Sequence, residues 1–462
     1  MSPERMEEGL VDESKYLSEG YLKHIFLDLM QMQEFIKHPL IMAKANGVWY
    51  EDVAGKKYLD GLSGIFVVNV GHNNQRVIAA MREQMDKICF APPLHSTNPR
   101  AVELANLISE ITPGDLDTVK LLSGGSEATE AAMKLARQYH RQTGNPNKFK
   151  VIARYEGYHG ATMGALSATG LKRRKVMFEP TLTGFIHVLP PKCFRCPYGR
   201  EYPDCEIFCA TIIGDIIEFE GAESVSALIV EPISNTGGII TPPPEYHPIL
   251  RKICDQADVL LIFDEIITGF GRTGQMFAAQ TFNTLPDILC MGKGMASGYA
   301  PLAAIAFRDH VAKAFWGREE EQVEFSHGHT FGGNPLASAA GIACIREIQE
   351  RDLCRRAREM GGYLWKRLEE LKDLGIIGEI RGKGLLIGVE FVKNPETREP
   401  FGKDVKFGIQ VGKTALSKGL IIRYDPNWIT FAPPLIVTRE EIDLMVDIFA
   451  ESVKEILNRV KM

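Results

Sequence analysis

Between residues 74 and about 310, helical stretches alternate with short apolar runs rich in β-branched residues, at 118–122, 150–153, 225–230, 259–263 and 288–291. Such alternation leaves few architectures open. It predicts an α/β protein built on a mostly parallel sheet with helices on both faces. Residues that end different strands of such a sheet meet at one edge. Two of these runs end in chemically useful side chains. The run 259–263 passes into Asp264-Glu265, and the run 288–291 passes through Gly292 into Lys293-Gly294.

The flanks read differently. Residues 13–37 carry Leu22, Ile25, Phe26, Leu29, Met32, Phe35 and Ile36 at helical spacing, which predicts a helix ending at His38-Pro39. Strand candidates lie near Trp49 and at Lys57–Asp60, before the glycine-rich turn Gly61-Leu-Ser-Gly-Ile-Phe66. Beyond Gly333-Asn-Pro335 come a long charged helical region (337–373), strands at 376–381 and 385–391, a helix near 404–418, a strand near 420–424 and a last helix from Arg439. The expected organisation is a large domain at 74–335 and a small α+β domain at 336–462, with residues 1–73 packing against the latter.

A formal charge of −6 over 462 residues gives no reason to expect nucleic acid or a membrane surface as partner. No apolar run approaches the roughly 18 residues that span a bilayer. The charged start Met1-Ser-Pro-Glu-Arg-Met is unlike a secretory signal, so a cytoplasmic location is expected. Four of nine cysteines cluster as Cys193-Phe-Arg-Cys196 and Cys205-Glu-Ile-Phe-Cys209. That spacing suits a tetrahedral zinc, a disulfide, or reduced thiols in a compact surface loop. The prolines and aromatics around it favour the loop, and nothing about it suggests catalysis.

Single motifs are weak by themselves. Ser123-Gly-Gly-Ser126 follows a strand and opens a helix, a place where free N–H groups and the helix dipole suit a phosphate, and where a plain capped turn is also common. Tyr158 follows the 150–153 strand, so its ring lies near the same sheet edge. Gly269-Phe-Gly-Arg-Thr-Gly274 matches a dinucleotide pattern but begins five residues past its strand and lacks the later acidic residue. Phe407-Gly-Ile-Gln-Val-Gly-Lys-Thr414 is one residue short of a P-loop and sits in a helical pattern.

The order of the motifs is more specific than any one of them. Ser123-Gly-Gly-Ser126, Tyr158-His-Gly, Val230-Glu-Pro232, Asp264-Glu-Ile-Ile-Thr-Gly, Gly292-Lys-Gly, His329-Thr-Phe-Gly-Gly-Asn-Pro and Phe431-Ala-Pro-Pro-Leu follow one another in series. In this the chain, from about residue 40 onward, resembles the class III pyridoxal-phosphate aminotransferases of fold type I, and within them the ω-amino-acid and amine:pyruvate branch. The resemblance implies that Lys293 forms the Schiff base with pyridoxal 5′-phosphate and that Asp264 pairs with the pyridine nitrogen. It implies a ring held between Tyr158 and Ile266, a phosphate held by Gly125 and Ser126, and Glu231 close to the cofactor. It also implies a homodimer, in which Thr330 reaches the phosphate of the neighbouring subunit; a tetramer is left open.

One departure bears on substrate. Relatives that use glutamate carry arginine before Phe-Ala-Pro-Pro-Leu, and here Thr430 stands in that place. A threonine cannot replace a bidentate carboxylate partner. Arg423 matches instead the mobile arginine of the amine:pyruvate branch, which pairs with carboxylates and swings away for uncharged amines. Phe66 matches an aromatic lining the substrate pocket. The expected reaction is therefore amino transfer from an amine or ω-amino acid to pyruvate. The alternatives are an aminotransferase using glutamate and 2-oxoglutarate, or an aminomutase or decarboxylase of the same fold.

Overall fold

A computed structural model describes residues 13–461 apart from Gln322 and Lys403. Along the chain the strands are β1 (Met42–Asn46), β2 (Trp49–Asp52), β3 (Lys57–Asp60), β4 (Thr118–Leu122), β5 (Lys150–Arg154), β6 (Phe185–Val188), β7 (Val225–Val230) and β8 (Leu260–Asp264). They continue with β9 (Ile288–Met291), β10 (Ala303–Phe307), β11 (Ile377–Lys383), β12 (Leu386–Phe391), β13 (Leu420–Ile421), β14 (Arg423–Asp425) and β15 (Trp428–Phe431).

Seven of these form the central sheet, in the order β4-β10-β9-β8-β7-β5-β6. Every pairing is parallel except those of β10, which runs antiparallel to both β4 and β9. The expected mostly parallel α/β sheet is thus present. Strands β7 to β10 are buried along their whole length. Alternate residues feed two cores: Leu228, Leu261, Phe263, Leu289 and Met291 enter one, while Ile229, Ile262 and Cys290 enter the other. Side chains of successive strand residues point to opposite faces, so the two cores are the two sides of one sheet. The helix Gly125–Gln142 closes the second side with Ala128, Ala131, Ala132 and Ala136, small residues that let its backbone lie close to the strands.

The remaining strands form two four-stranded sheets, β1-β2-β3-β13 and β11-β12-β15-β14. The parallel pairing of β3 with β13 joins the start of the chain to its end. The sequence suggested one strand near 420–424. The chain instead changes sheets at Ile422, so β13 and β14 belong to different sheets. The charged region at 337–373 is likewise interrupted: Asp352 adopts a left-handed backbone (φ 46°) and its carboxylate accepts the Arg355 N–H at 3.3 Å, ending one helix and capping the next. The expected helix over 13–37 is broken into a 3₁₀ turn, one turn at Glu19–Leu22 and the helix Met32–Lys37. Ile25, Phe26 and Leu29 stay exposed, so nothing within the chain offers the buried face that holds an amphipathic helix together. No helix among the described residues is long and apolar enough to cross a membrane.

Arg272 joins these parts. It is fully buried, and its guanidinium donates to the carbonyls of Leu385 (3.1 Å) and Pro433 (2.6 Å), to Ser63 Oγ (2.9 Å) and to Asn69 Oδ1 (2.6 Å). Stretches of chain as far apart as Ser63 and Pro433 therefore share one five-donor group. Arg272→Met should strand several buried acceptors at about 1–3 kcal/mol each and lower the urea midpoint markedly. Arg272→Lys keeps the charge but not the planar fork, and should recover less than half of the loss. A midpoint unchanged in the methionine variant would contradict this role.

Candidate active site

The alternation of a strand decides between the two acids that end β8. Glu265 turns to the far side, where its carboxylate accepts the N–H groups of Ala278 (2.6 Å) and Ala279 (2.8 Å) and the Thr268 hydroxyl (3.0 Å). Burial nevertheless pushes its carboxyl up to about 7. Asp264 turns to the near side. It accepts the Ile266 N–H at 3.2 Å and, through its other oxygen, the Nδ1–H of His159 at 2.8 Å. Both partners of that ion-pair geometry are buried.

Lys293 reaches the same edge from the next strand, because β9 pairs with β8 in a register that sets Asp264 against Cys290. Its backbone is left-handed (φ 43°), an uncommon conformation for a residue other than glycine. Gly294 cannot take a side chain, since an added Cβ would lie 2.3 Å from Asn69 Nδ2. Lys293 Nζ stands 5.8 Å from the centroid of the Phe66 ring. Lys293 keeps some accessible surface although protein surrounds it densely. Burial lowers its amine to about 8; Asp264 and Glu231 oppose the shift and Arg423 adds to it.

Phe66 owes its place to a turn built on Asp60, whose carboxylate accepts the N–H groups of Leu62 (3.1 Å) and Gly64 (2.9 Å) and faces His72 Nε2 at 2.8 Å. Glu231, just past β7, accepts the Tyr158 N–H (3.0 Å), the Ser234 hydroxyl (3.1 Å) and the Asn235 N–H (3.2 Å), and burial pushes its carboxyl up. Tyr158 is half-buried, with its phenol raised by burial.

Gly125 opens the helix Gly125–Gln142, and no side chain caps that N-terminus. A Cβ on Gly125 would stand 3.3 Å from Ile266, so backbone and isoleucine lie face to face. Ser126 Oγ accepts the Ala161 N–H at 3.0 Å, which leaves its own O–H to donate. Free N–H groups, a hydroxyl and a helix dipole suit an anion such as a phosphate.

Arg423 begins β14 and sits directly opposite Thr430 of β15, so the two side chains share a face of the sheet. The guanidinium lies 5.2 Å from the Trp428 ring and 6.0 Å from Phe66, and 4.0 Å from Asp425 Oδ2. Burial lowers it to about 10, still charged at neutral pH. Thr430 is buried with its hydroxyl unpartnered.

Lys293, Asp264, Glu231, Phe66 and Arg423 thus converge, with Tyr158, Ile266, Gly125 and Ser126 around them. Thr330 does not join this group. It is exposed on a wide groove lined by Phe90, Pro92, Leu94 and Phe325, on a segment tethered by His329 to Ser123 Oγ at 2.8 Å. His159 is the residue whose part sequence reasoning missed. It stood inside the Tyr158-His-Gly motif, but only the fold brings it against Asp264. The four clustered cysteines line one small cavity away from the site and carry free thiols. Among the described residues no three His, Cys, Asp or Glu side chains stand close enough to hold a metal ion.

A lysine and an aspartate meeting at the edge of a mixed seven-stranded sheet, beside an uncapped helix N-terminus, define an α/β transferase of fold type I. Residues 31–453 match the family described as aminotransferase class-III, and the chain belongs to that family. It is an aminotransferase. It is 38% identical to a probable aminotransferase of Mycobacterium tuberculosis over 94% of each chain. It is 34% identical to the putrescine–pyruvate aminotransferase of Pseudomonas aeruginosa over 91% of each. Among solved structures, an (S)-enantioselective omega-transaminase from Thermomicrobium roseum superposes with a TM-score of 0.91 at 34% identity, over 96% of this chain and 99% of that one.

The lowered Lys293 amine has a direct readout. Only the unprotonated amine attacks an aldehyde, so borohydride trapping of pyridoxal phosphate on the apo-protein should rise with pH around a midpoint of about 8. Arg423→Gln removes a positive neighbour and should move the midpoint up; Asp264→Asn removes a negative one and should move it down. A wild-type midpoint near that of an exposed lysine would show that burial has no such effect.

Proposed function

We propose that this aminotransferase uses pyridoxal 5′-phosphate to move an amino group from an amine or ω-amino acid to pyruvate, giving alanine, in two alternating half-reactions. The observation that carries the acceptor choice is Arg423 standing opposite Thr430: an arginine that could take a carboxylate lies on the neighbouring strand, against Trp428 and Phe66. A relative named for putrescine and pyruvate supports the same reading.

The residues present fit the cofactor. Asp264, fixed by His159, offers a buried carboxylate for a protonated pyridine, and Gly125 with Ser126 offers N–H and O–H donors for a phosphate. Ile266 and Tyr158 supply flat, partly apolar contacts for a ring, and Glu231 closes the cavity beside them. Bound there, pyridoxal phosphate supplies an aldehyde that takes up the amine and a ring that draws electrons from the adjoining carbon.

Lys293 Nζ is the base that removes the proton from the amine-bearing carbon of the donor, and in the return half-reaction it delivers a proton to C2 of the former pyruvate. With its amine near 8, roughly a tenth is unprotonated at pH 7, several hundred times more than for an exposed lysine. General acid–base help of this kind contributes on the order of 10²–10⁴-fold. Arg423 pairs with the pyruvate carboxylate and orients its carbonyl towards Lys293. Asp264, fixed by His159, would accept a hydrogen bond from the ring nitrogen of the bound cofactor. Phe66 and Trp428 keep water from the reacting carbon. The protein is a homodimer in this reading, and the exposed Thr330 serves the phosphate of the neighbouring subunit.

Purified holoenzyme should be yellow and should form alanine from pyruvate faster than glutamate from 2-oxoglutarate. Lys293→Ala should abolish both the lysine-bound colour and turnover. Arg423→Ala should raise the KM for pyruvate roughly 10–100-fold, the worth of a charged hydrogen-bonded pair, with a smaller effect on uncharged amine donors. An active lysine variant, or a preference for 2-oxoglutarate, would overturn the proposal.

A further inference from the structure

The Phe66 ring stands close to both charged groups of the site: its centroid lies 5.8 Å from Lys293 Nζ and 6.0 Å from the Arg423 guanidinium. A ring in that place limits the width of whatever sits beside the lysine. Carbon atoms approach one another to about 3.5–4.0 Å and no closer, so a small displacement of the ring decides whether a substituent fits. The backbone that carries the ring needs restraint from outside. Ser63 (φ 52°), Gly64 (φ 67°) and Phe66 (φ 64°) all lie in the left-handed region, which side chains other than glycine rarely adopt unless their surroundings impose it.

Two polar restraints are present. Ser63 Oγ donates to the Ala432 carbonyl at 2.7 Å and accepts from Arg272 at 2.9 Å. On the other side of the turn, the buried Asp60 carboxylate accepts the Leu62 N–H at 3.1 Å and the Gly64 N–H at 2.9 Å. Among the described residues His72 is the sole side chain hydrogen-bonded to that carboxylate, with Nε2 at 2.8 Å. A carboxylate only accepts, so this nitrogen carries the hydrogen. His72 is itself fixed. Its backbone exchanges two hydrogen bonds with Gly47, at 2.8 and 3.0 Å, and its ring centroid lies 4.3 Å from that of Tyr50 in β2. The Tyr50 hydroxyl also covers Gly64, where an added Cβ would stand 3.2 Å from it. His72 is therefore locked to the N-terminal sheet and passes that fixity to the turn through one hydrogen bond.

We propose that His72 is a positioning residue which, through Asp60, fixes the Phe66 ring and so sets how wide an amine donor can be beside Lys293. This rests on the reading of the chain as an aminotransferase for amines with Phe66 lining the pocket. It adds to that pocket a residue whose own hydrogen bond goes to Asp60 and not to the substrate.

The test follows the half-reaction of holoenzyme with donor alone, by loss of the yellow colour, for hexylamine and for the wider cyclohexylmethylamine. The ratio of the two kcat/KM values on one preparation is independent of how much enzyme has folded. His72→Phe keeps a ring against Tyr50 but has no hydrogen to donate, and should raise the wide-to-slim ratio roughly tenfold. His72→Gln places an amide N–H near the position of Nε2 and should return the ratio towards wild type. Phe66→Ala should raise the ratio by itself, and in that background His72→Phe should add nothing, because it acts through the ring. Hydrogen exchange of the segment 61–66 should quicken in His72→Phe and not in His72→Gln. A ratio unchanged in His72→Phe while Phe66→Ala alters it, or an equal effect of His72→Phe with and without the ring, would overturn the proposal alone. A ratio indifferent to Phe66→Ala sinks the reading of Phe66 as a pocket wall and the proposal with it. Should neither amine discharge the colour, the amine reading fails on its own account, and unaltered exchange in His72→Phe then overturns the role of His72.

Discussion

A guanidinium cannot shed its charge, and Arg272 is fully buried. Its burial is tolerable only if several acceptors converge on it, and these come from widely separated parts of the chain. Ser63 and Asn69 belong to the N-terminal segment, Leu385 and Pro433 to the C-terminal domain. Ser63 also donates to the Ala432 carbonyl at 2.7 Å, and Asn69 to the Phe270 carbonyl at 2.8 Å, so the acceptors are themselves fixed. The cavity lies among exactly these pieces of chain: Phe66 three residues after Ser63, Lys293 beside the Gly294 that abuts Asn69, and Phe431 at the end of the hairpin that carries Arg423 and Thr430. Three regions that meet only through folding are thus held in one register by one side chain.

The same residue marks the boundary of what the sequence discloses. Five of the seven central strands were legible because their apolar runs are short, β-branched and bounded by turns, whereas β6 and β10 were not picked out; Lys293 and Asp264 stood out only through the ordered series of motifs around them. Arg272 was not legible. It lies in Gly269-Phe-Gly-Arg-Thr-Gly274, a string that could be rejected as a dinucleotide motif but whose actual partners are more than 100 residues away on both sides. Sequence also could not divide the work of Asp264 and Glu265, which depends on which side of the strand each side chain leaves. Nor did the apolar spacing over 13–37 suffice for a helix, since Phe26 is 88% exposed and that face has no core to meet. Periodicity reports what an element would do if a partner surface were present.

Electrostatics divides the cavity into a reactive end and a recognition end. At the reactive end, dense surroundings weaken the Lys293 ammonium, while Asp264 keeps a fixed hydrogen-bond partner in His159. The first of these effects leaves a base that can be free near neutral pH. At the recognition end, Arg173 binds Asp425 with both nitrogens of its fork, and Arg423 stands 4.0 Å from the same carboxylate.

The exchange of arginine for threonine at position 430 then has a mechanical consequence. In the antiparallel ladder Arg423 stands directly across from Thr430, so the cation has moved by one strand while remaining on the same face. A guanidinium rooted at 430 would grow from within β15, between the buried Ile429 and Phe431. Rooted at 423 it grows from the first residue of a three-residue strand, immediately after the chain has changed sheets at Ile422. Its nearest acid is already bidentate to Arg173, which leaves Arg423 resting on aromatic faces rather than locked in an ion pair. Contacts to ring faces are less directional than a forked carboxylate pair and are given up at smaller cost. In the proposed reaction, an arginine resting on ring faces would close on a carboxylate and withdraw for an uncharged chain at smaller cost than one locked in a forked ion pair.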